Sequence, residues 1–512
     1  MIRTAAWPRN LGALHLPSVG TGTAAFVDLS AGDPERVTYE AFEERCARLA
    51  GGLRAAGIAR GDRVGLLGEN SVAYAAAFFA VVRAGAVAVP LNTRLPDDTL
   101  GAIADDAGLA LALGDRDLLA RLPDGLPVAR LGGGEPTGDP LPPADVDGSE
   151  PAVILYTSGS TGRPKGVVCS HRSQVASVRD WAGLATSRSM ERTLVAAPLY
   201  HKNGLGETKI ALSIGAEVVL QPRFDPRAYL EAAAAYACTT LSGVPTMFAL
   251  MLAQEDLLAR LDLSAVRGIE VGSAPFTEAL WERVRAAFPD ARIFNSYGTT
   301  EFPAIFGDHP DDLPPPRTTV GYPLASAQVR LVDDAGRDAS PGELWVRGEG
   351  MMDGYRGLPE ATAEKVVDGW CRTGDVMRRD EQGWFHFVGR VDDMFVCGGE
   401  NVYPGAVVQL LESHPSIRQA AVVAVPDDVK GAVPVAFVVP EPGATLDEAA
   451  VRAWTREHGP AFQHPRRVWF LDALPLSGTE KVDVRVLQDE AARRHGTAPL
   501  GPRPGQASST GV

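Results

Sequence analysis

The run TSGSTGRPKG, residues 157–166, gathers more chemically useful groups than any other stretch of the chain. Gly159, Gly162 and Gly166 let the backbone turn tightly, Thr157, Ser158, Ser160 and Thr161 bring hydroxyls, and Lys165 adds one ammonium. A loop of that composition, placed directly after the apolar run AVILY (152–156), suits phosphate oxygens. The competing reading is a plain Gly/Ser connector, against which stands the recurrence of hydroxyl, glycine and lysine at nearly every step. It is not a Walker loop, because Lys165 is followed by Gly166 rather than Ser or Thr and the glycine spacing differs. A P-loop NTPase is therefore disfavoured.

Only six of the 49 basic residues are lysines: Lys165, Lys202, Lys209, Lys365, Lys430 and Lys481. Against such a bias a retained lysine can mark a place that wants a compact point charge with rotatable donors, although surface chance accounts for some. Lys165, Lys202 and Lys481 come first.

These groups must be positioned by a large core. The chain has 512 residues, 45% of them hydrophobic and 22% charged, as in soluble globular proteins, so fibrous and wholly disordered states are excluded. A net charge of -15 repels nucleic-acid backbones and anionic membranes. The most apolar stretch, AYAAAFFAVVRAGAVAVP, is interrupted by Arg83 and Gly85 well short of a membrane span, and no secretory signal core is visible, so a cytoplasmic location is expected. Five scattered cysteines argue against both a disulfide framework and a zinc site.

From Thr38 the spacing of Phe42, Cys46, Leu49 and Leu53 predicts a helix that Gly57 stops. Short apolar runs at 152–156, 193–198, 217–221, 267–271 and 291–295 alternate with amphipathic helices, the pattern of α/β layers and a largely parallel sheet. Near Gln328 a smaller, β-rich unit begins, with two strands turning at Asp334 and Gly336. After GRVDDMF a small α+β domain follows. The expected division is 1–388, a hinge at 389–393, a mobile C-terminal domain over 394–495 and a disordered tail over 496–512, which has almost no large apolar residues.

Six motifs in order, YTSGSTGRPKG, PLYH, NSYGTTE, GWCRTGD, GRVDDMFVCGGENVYP and GTEKVDVR, resemble the adenylate-forming superfamily of acyl-CoA synthetases, peptide-synthetase adenylation domains and luciferases, most of all aryl and short-chain acyl-CoA ligases of the benzoate type. The resemblance covers roughly Thr38 to Leu487. It implies an enzyme that joins a carboxylic acid to AMP with Mg2+ and ATP, releases pyrophosphate, then passes the acyl group to a thiol, foremost that of coenzyme A. By the same resemblance, the loop Thr157 to Gly162 with Lys165 holds the β- and γ-phosphates. Ser273, Ala274 and Pro275 of GSAP and Ser296, Tyr297, Gly298 and Thr299 meet the nucleotide, with Tyr297 stacked on adenine. Thr300 reaches the α-phosphate, Glu301 binds Mg2+, and Asp375 and Arg390 take the ribose. Lys481 bridges the carboxylate and the α-phosphate.

The resemblance further implies rotation of the C-terminal domain about Asp392, with Gly398 and Gly399 lining a pantetheine tunnel. FQHPRR offers Phe462, His464 and Arg466 to the CoA nucleotide, His464 standing where arginine is usual. The acid pocket is assigned to His201 at its mouth and to Lys202, Asn203, Gly204, Gly272, Phe302 and Ile305. Lys202 and Asn203 stand where hydrocarbon-binding relatives have apolar residues. Because a buried lysine without a partner is costly, Lys202 either faces solvent or meets a polar or anionic group on the substrate. Other acceptors stay open, a carrier-protein pantetheine or an amine, including nitrite-dependent diazotisation of an aromatic amine. A catalytically dead nucleotide-binding scaffold is the non-enzyme reading. A carrier protein and a second copy of the chain are carried as candidate partners.

Overall fold

The computed structural model describes residues 7–14, 19–158, 164–188 and 190–497. Gly159, Ser160, Thr161 and Gly162 of the phosphate-loop assignment, and the expected tail beyond Thr497, lie outside the described residues.

Two seven-stranded sheets carry most of the N-terminal part. The first runs Arg292–Ser296, Gly268–Gly272, Thr240–Gly243, Arg192–Val195, Glu217–Leu220, Ala24–Asp28, Glu35–Thr38, parallel except for the last pair. This is the parallel sheet that strand–helix alternation dictates. The second runs Gly354–Tyr355, Pro164–Ser170, Pro151–Ser158, Val87–Pro90, Arg63–Leu67, Leu109–Gly114, Val128–Arg130. This sheet too is largely parallel, except at one end, where Pro151–Ser158 and Pro164–Ser170 pair antiparallel with Thr157 opposite Lys165. The connection between them is too short for a crossover, which takes a dozen residues or more, so it can only be a hairpin.

The most apolar stretch of the sequence becomes the helix Val72–Arg83, buried at every position but Ala73. It shares a core with Phe26, Val218 and Leu220 of the first sheet and Val64, Leu66 and Val153 of the second. Its length, 12 residues, suits a layer between sheets, and no helix among the described residues is long and apolar enough to cross a membrane. All five cysteines are buried and unpaired.

A third sheet begins at Ala327–Val332 and pairs it antiparallel with Gly342–Gly348, then with Trp370–Arg379 and Phe385–Arg390. The next strand in the chain, Phe395–Cys397, belongs to a fourth sheet with Glu400–Val402, Ile417–Asp427, Gly431–Pro440 and Val468–Phe470, covered by the helices Pro404–Glu412, Glu448–His458 and Val484–His495.

The helix Tyr39–Ala55 contains Gly51 and Gly52, each costing about 1 kcal/mol relative to alanine in a helix. Packing explains them, because segment 136–141 crosses the helix there, and a Cβ would lie 1.9 Å from the Asp139 oxygen at Gly51 and 2.2 Å from the Pro136 oxygen at Gly52. Gly183, in the helix His171–Ser187, meets nothing within 4 Å. Gly52→Ala should therefore lower the urea midpoint, the clash costing about 1–3 kcal/mol against the propensity gain, whereas Gly183→Ala should raise it. Equal signs for the two variants would contradict the packing account.

Candidate active site

Lys165 emerges from the hairpin strand Pro164–Ser170 with its ammonium 5.5 Å from the centre of the Tyr355 ring. The Tyr355 hydroxyl in turn donates to Glu301 Oε1 at 2.8 Å, so one aromatic ring connects the lysine of the phosphate-loop segment with the carboxylate assigned to the metal. Burial pushes the Glu301 carboxyl up, but Lys365, the Tyr355 hydroxyl and hydrogen bonds from backbone and Thr299 outweigh it and hold the group below the usual carboxylate range. An ionised carboxylate with oxygen to spare fits Mg2+, which takes one or two carboxylates and completes its shell with water and substrate phosphate. Among the described residues no cluster of three acidic, histidine or cysteine ligands forms a self-sufficient metal site. Thr300, half-buried, sits in a turn closed by Thr299 N–H to Phe302 O at 3.0 Å and by Phe302 N–H to Thr299 Oγ1 at 3.1 Å. Gly298 is required in that turn, because a Cβ would stand 2.0 Å from the Pro303 oxygen.

Asp375 is 5% exposed, beside a left-handed Gly374 at φ 77°. Its carboxylate accepts from the Tyr297 hydroxyl and from Arg390 Nη1 at 2.8 Å. Burial raises its pKa against the opposing pull of Arg390, Tyr297 and Lys365. Tyr297 also packs on Phe306, ring centres 5.7 Å apart. Lys365 donates to Thr373 O at 3.2 Å and acts on both Glu301 and Asp375. Sequence reasoning counted this lysine but gave it no role.

Lys481 arrives from the C-terminal part of the chain. It sits on a tight turn closed by Ser477 N–H to Lys481 O at 2.7 Å, with Glu480 at a positive φ of 59°. The turn docks through the Tyr200 hydroxyl on Gly478 O at 3.2 Å, the Thr246 hydroxyl on Glu480 O, and Arg94 paired with Glu480 at 2.8 Å. Burial, then Arg390, lowers the pKa of Lys481, while Asp375 supports its charge.

His201 caps the helix Lys202–Ile214. Burial and the positive charges of Lys481 and Lys202 push its pKa down to about 3, so the imidazole is neutral. Lys202, also buried, is lowered to about 8 by burial and Lys481, and its ammonium donates to Gly298 O at 2.6 Å. Lys202 therefore faces inward, and the solvent alternative is excluded. Asn203 and Ser273 exchange hydrogen bonds at 2.7 and 3.0 Å, Ser273 holding a positive φ of 67°.

These residues open onto a cavity between the helices His171–Ser187 and Lys202–Ile214 and the first sheet, with Trp181, Val178, Ile210 and Phe294 among its apolar walls. Lys202, Asn203, Gly272, Ser273, Ser296, Tyr297 and Gly298 line it as expected. Three pocket assignments are corrected. Phe302 and Ile305, 2% and 0% exposed, are core residues of the β-rich unit, drawn in by Val320, Leu344 and Val346. Gly204 instead lets the helix touch the Ala197 backbone, where a Cβ would lie 2.2 Å from the oxygen. Sequence reasoning missed four polar residues that do line it: Gln174, Glu207, Lys209 and Glu270. The available signal was the helical spacing of Lys202, Asn203, Gly206, Glu207 and Ile210, which share one face.

The C-terminal assignments are not brought to this site. Gly398 and Gly399 form the exposed turn of the hairpin Phe395–Cys397/Glu400–Val402. Phe462 packs into the C-terminal core. His464, 5% exposed, is engaged by the Thr455 hydroxyl at 3.0 Å, and burial with nearby Arg452 pushes its pKa to about 4. The Arg466 backbone joins Pro434 at 2.8 Å. Asp392 is exposed and lies 3.7 Å from Arg390.

Comparison with known proteins agrees with this geometry. A family described as AMP-binding enzyme matches residues 19–356, and the AMP-binding enzyme C-terminal domain matches residues 408–481. A feruloyl-CoA synthase of an Amycolatopsis species is 37% identical over 470 residues, covering 90% of this chain and 94% of the relative. An indoleacetate–CoA ligase of Aromatoleum aromaticum is 34% identical over 482 residues, covering 89% and 94%. The crystal structure of ATP-bound MatB from Rhodopseudomonas palustris superposes with a TM-score of 0.86 at 29% identity, covering 94% of this chain and 99% of that one. On the match over most of its length, the arrangement of large and small domains and the convergence of the motif residues, this chain belongs to the AMP-binding enzyme family, the AMP-forming acid–thiol ligases.

Proposed function

We propose that this enzyme activates an aromatic carboxylic acid with Mg2+ and ATP, releasing pyrophosphate, and transfers the acyl group to the thiol of coenzyme A. The observation that carries the reading is Lys481, supplied from the far end of the sequence into the same buried group of charges as Asp375, Arg390 and Lys202. The aromatic walls Trp181 and Phe294 support an aromatic acid, as do relatives named for feruloyl and indoleacetyl thioesters.

The acid enters with its carboxylate toward Lys202 and the neutral His201, and attacks the α-phosphorus of ATP. Lys481 stands where negative charge gathers between carboxylate and phosphate, an interaction strongest in the transition state. Lys165, with the loop Thr157 to Gly162, neutralises the leaving pyrophosphate. Glu301 would hold Mg2+, which when bound offsets phosphate charge. Tyr297 and Arg390 fix Asp375 for the ribose hydroxyls. Lys202, placed beside Gly298 and Lys481, serves the reacting carboxylate rather than a second group further along the substrate.

For the second half-reaction, the domain over 394–495 rotates about Asp392 and carries Lys481 away, bringing Gly398 and Gly399 to the pantetheine. With His464 buried, Arg466 and the exposed Arg467 are the cations of FQHPRR left for the CoA nucleotide.

Acid-dependent ATP–pyrophosphate exchange and CoA-dependent thioester formation, measured separately, test the scheme. Lys481→Ala should cut exchange more than about a hundredfold, the scale of losing one preorganised charge, while thioester formation from supplied acyl-adenylate persists. Asp392→Pro, which locks φ, should do the reverse. Equal losses in both half-reactions for either variant would refute the two-conformation scheme. Lys202→Met removes a charged hydrogen bond worth about 1.5–3 kcal/mol, so kcat/KM should fall by about 10- to 150-fold for every acid alike. A loss confined to acids with one particular substituent would move Lys202 from the reacting end to the recognition end.

A further inference from the structure

On the strand Gly268–Gly272 one face carries Gly268, Glu270 and Gly272, and Glu270 is the one charged residue that this strand adds to the cavity wall, beside the apolar Ile269. The register places Ser242 and Phe294 beside it on the two neighbouring strands, and both also line the cavity. Among the described residues the Glu270 carboxylate makes no hydrogen bond or ion pair, although it is half-buried in a wall with apolar neighbours. Glu207 faces the same space from the helix Lys202–Ile214, anchored by the hydroxyls of Thr193 and Ser242. Burial and the charge of Glu270 raise the pKa of Glu207 far above the carboxylate range.

Two carboxyl groups share this end of the cavity, and Glu270, although Arg188 and Lys202 lie within electrostatic reach, is hydrogen-bonded by neither. Leaving a part-desolvated carboxylate without a hydrogen-bond donor is costly, and the cavity gives a donor on the substrate access to it. Glu207 stands five residues along the helix from Lys202, roughly 7.5 Å, a span that one substituted aromatic ring can bridge.

We infer that the acid carries a hydrogen-bond donor, an amino or hydroxyl group, at its far end, and that Glu270, backed by Glu207, receives it. This rests on the acid-activation reading above. The carboxylate of the substrate lies at Lys202, and the donor lies against Glu270 between Ser242 and Phe294. A methyl group of similar size in that place would leave Glu270 desolvated and unpaired, so the site rejects it.

The test uses the full chain and ATP–pyrophosphate exchange, with benzoic and phenylpropenoic acids bearing hydroxyl, amino or methyl at the meta or para position. The wild type should favour a hydroxyl or amino acid over its methyl counterpart by about 10- to 150-fold in kcat/KM. Glu270→Leu should bring that ratio to within about threefold of unity and improve the methyl acid. Glu270→Gln, equal in size, should lower the ratio without the risk of misfolding that a leucine carries. Whichever of the hydroxyl and amino series leads identifies the donor. A wild-type ratio of one or less, or a ratio unchanged in both variants, would overturn the assignment while leaving acid activation intact. Absence of exchange with every acid would overturn the activation reading, and this inference with it.

Discussion

The structure turns on an excess of buried positive charge. Lys202, Lys481 and Arg390 meet around Asp375, beside the neutral imidazole of His201, with Glu301 the next carboxylate. The protein's own anions satisfy them unevenly: Asp375, Asp392 and Asp393 support the charge of Arg390, whereas Lys202 and Lys481 are shifted toward their neutral forms. Gathering cations away from water costs free energy that a bound polyanion recovers. A triphosphate and a carboxylate bring that charge, and the cations are already oriented when it develops on the reacting oxygens, so little reorganisation remains.

That constraint accounts for how the C-terminal part is attached. Lys481 is held by a polar set of contacts, two of them to backbone oxygens of Gly478 and Glu480 and one an ion pair between Arg94 and Glu480, with the Arg94 side chain 49% exposed. An exposed pair of that kind contributes about 1 kcal/mol at most. Glu480 adds backbone strain through its positive φ. The large apolar cores lie elsewhere, within each domain.

Much of this was legible in the chain before folding was considered. Glycines and hydroxyls at single steps are expensive unless backbone must approach a ligand, which is why TSGSTGRPKG and NSYGTTE could be read locally, and the helix Tyr39–Ala55 follows the spacing of Phe42, Cys46, Leu49 and Leu53. What stayed hidden depends on which strand lies beside which. Phe302 and Ile305 are adjacent in sequence to the nucleotide motif, yet sheet packing draws both into the β-rich core. Glu270 sits in an ordinary strand pattern, RGIEV, and gains its meaning only when Ser242 and Phe294 come into register on either side. The strand Pro164–Ser170 is hidden for a similar reason, since a strand returning after five residues leaves no helical period to detect.

The helix Lys202–Ile214 ties these levels together. Its first turn, with His201 as cap and Lys202 as its first residue, puts the positive end of the helix dipole at the carboxylate site proposed above. Lys202 adds a full charge there, and Gly204 lets the helix press against the Ala197 backbone, fixing its position. Glu207 and Ile210 on the same face line the cavity proposed to take the rest of the acid. Chemistry and selectivity are thus separated along a single rigid axis. Substitutions in the second and third turns can alter which acid fits while the charges that serve the reaction keep their geometry, so one scaffold can change substrates without rebuilding its catalytic end.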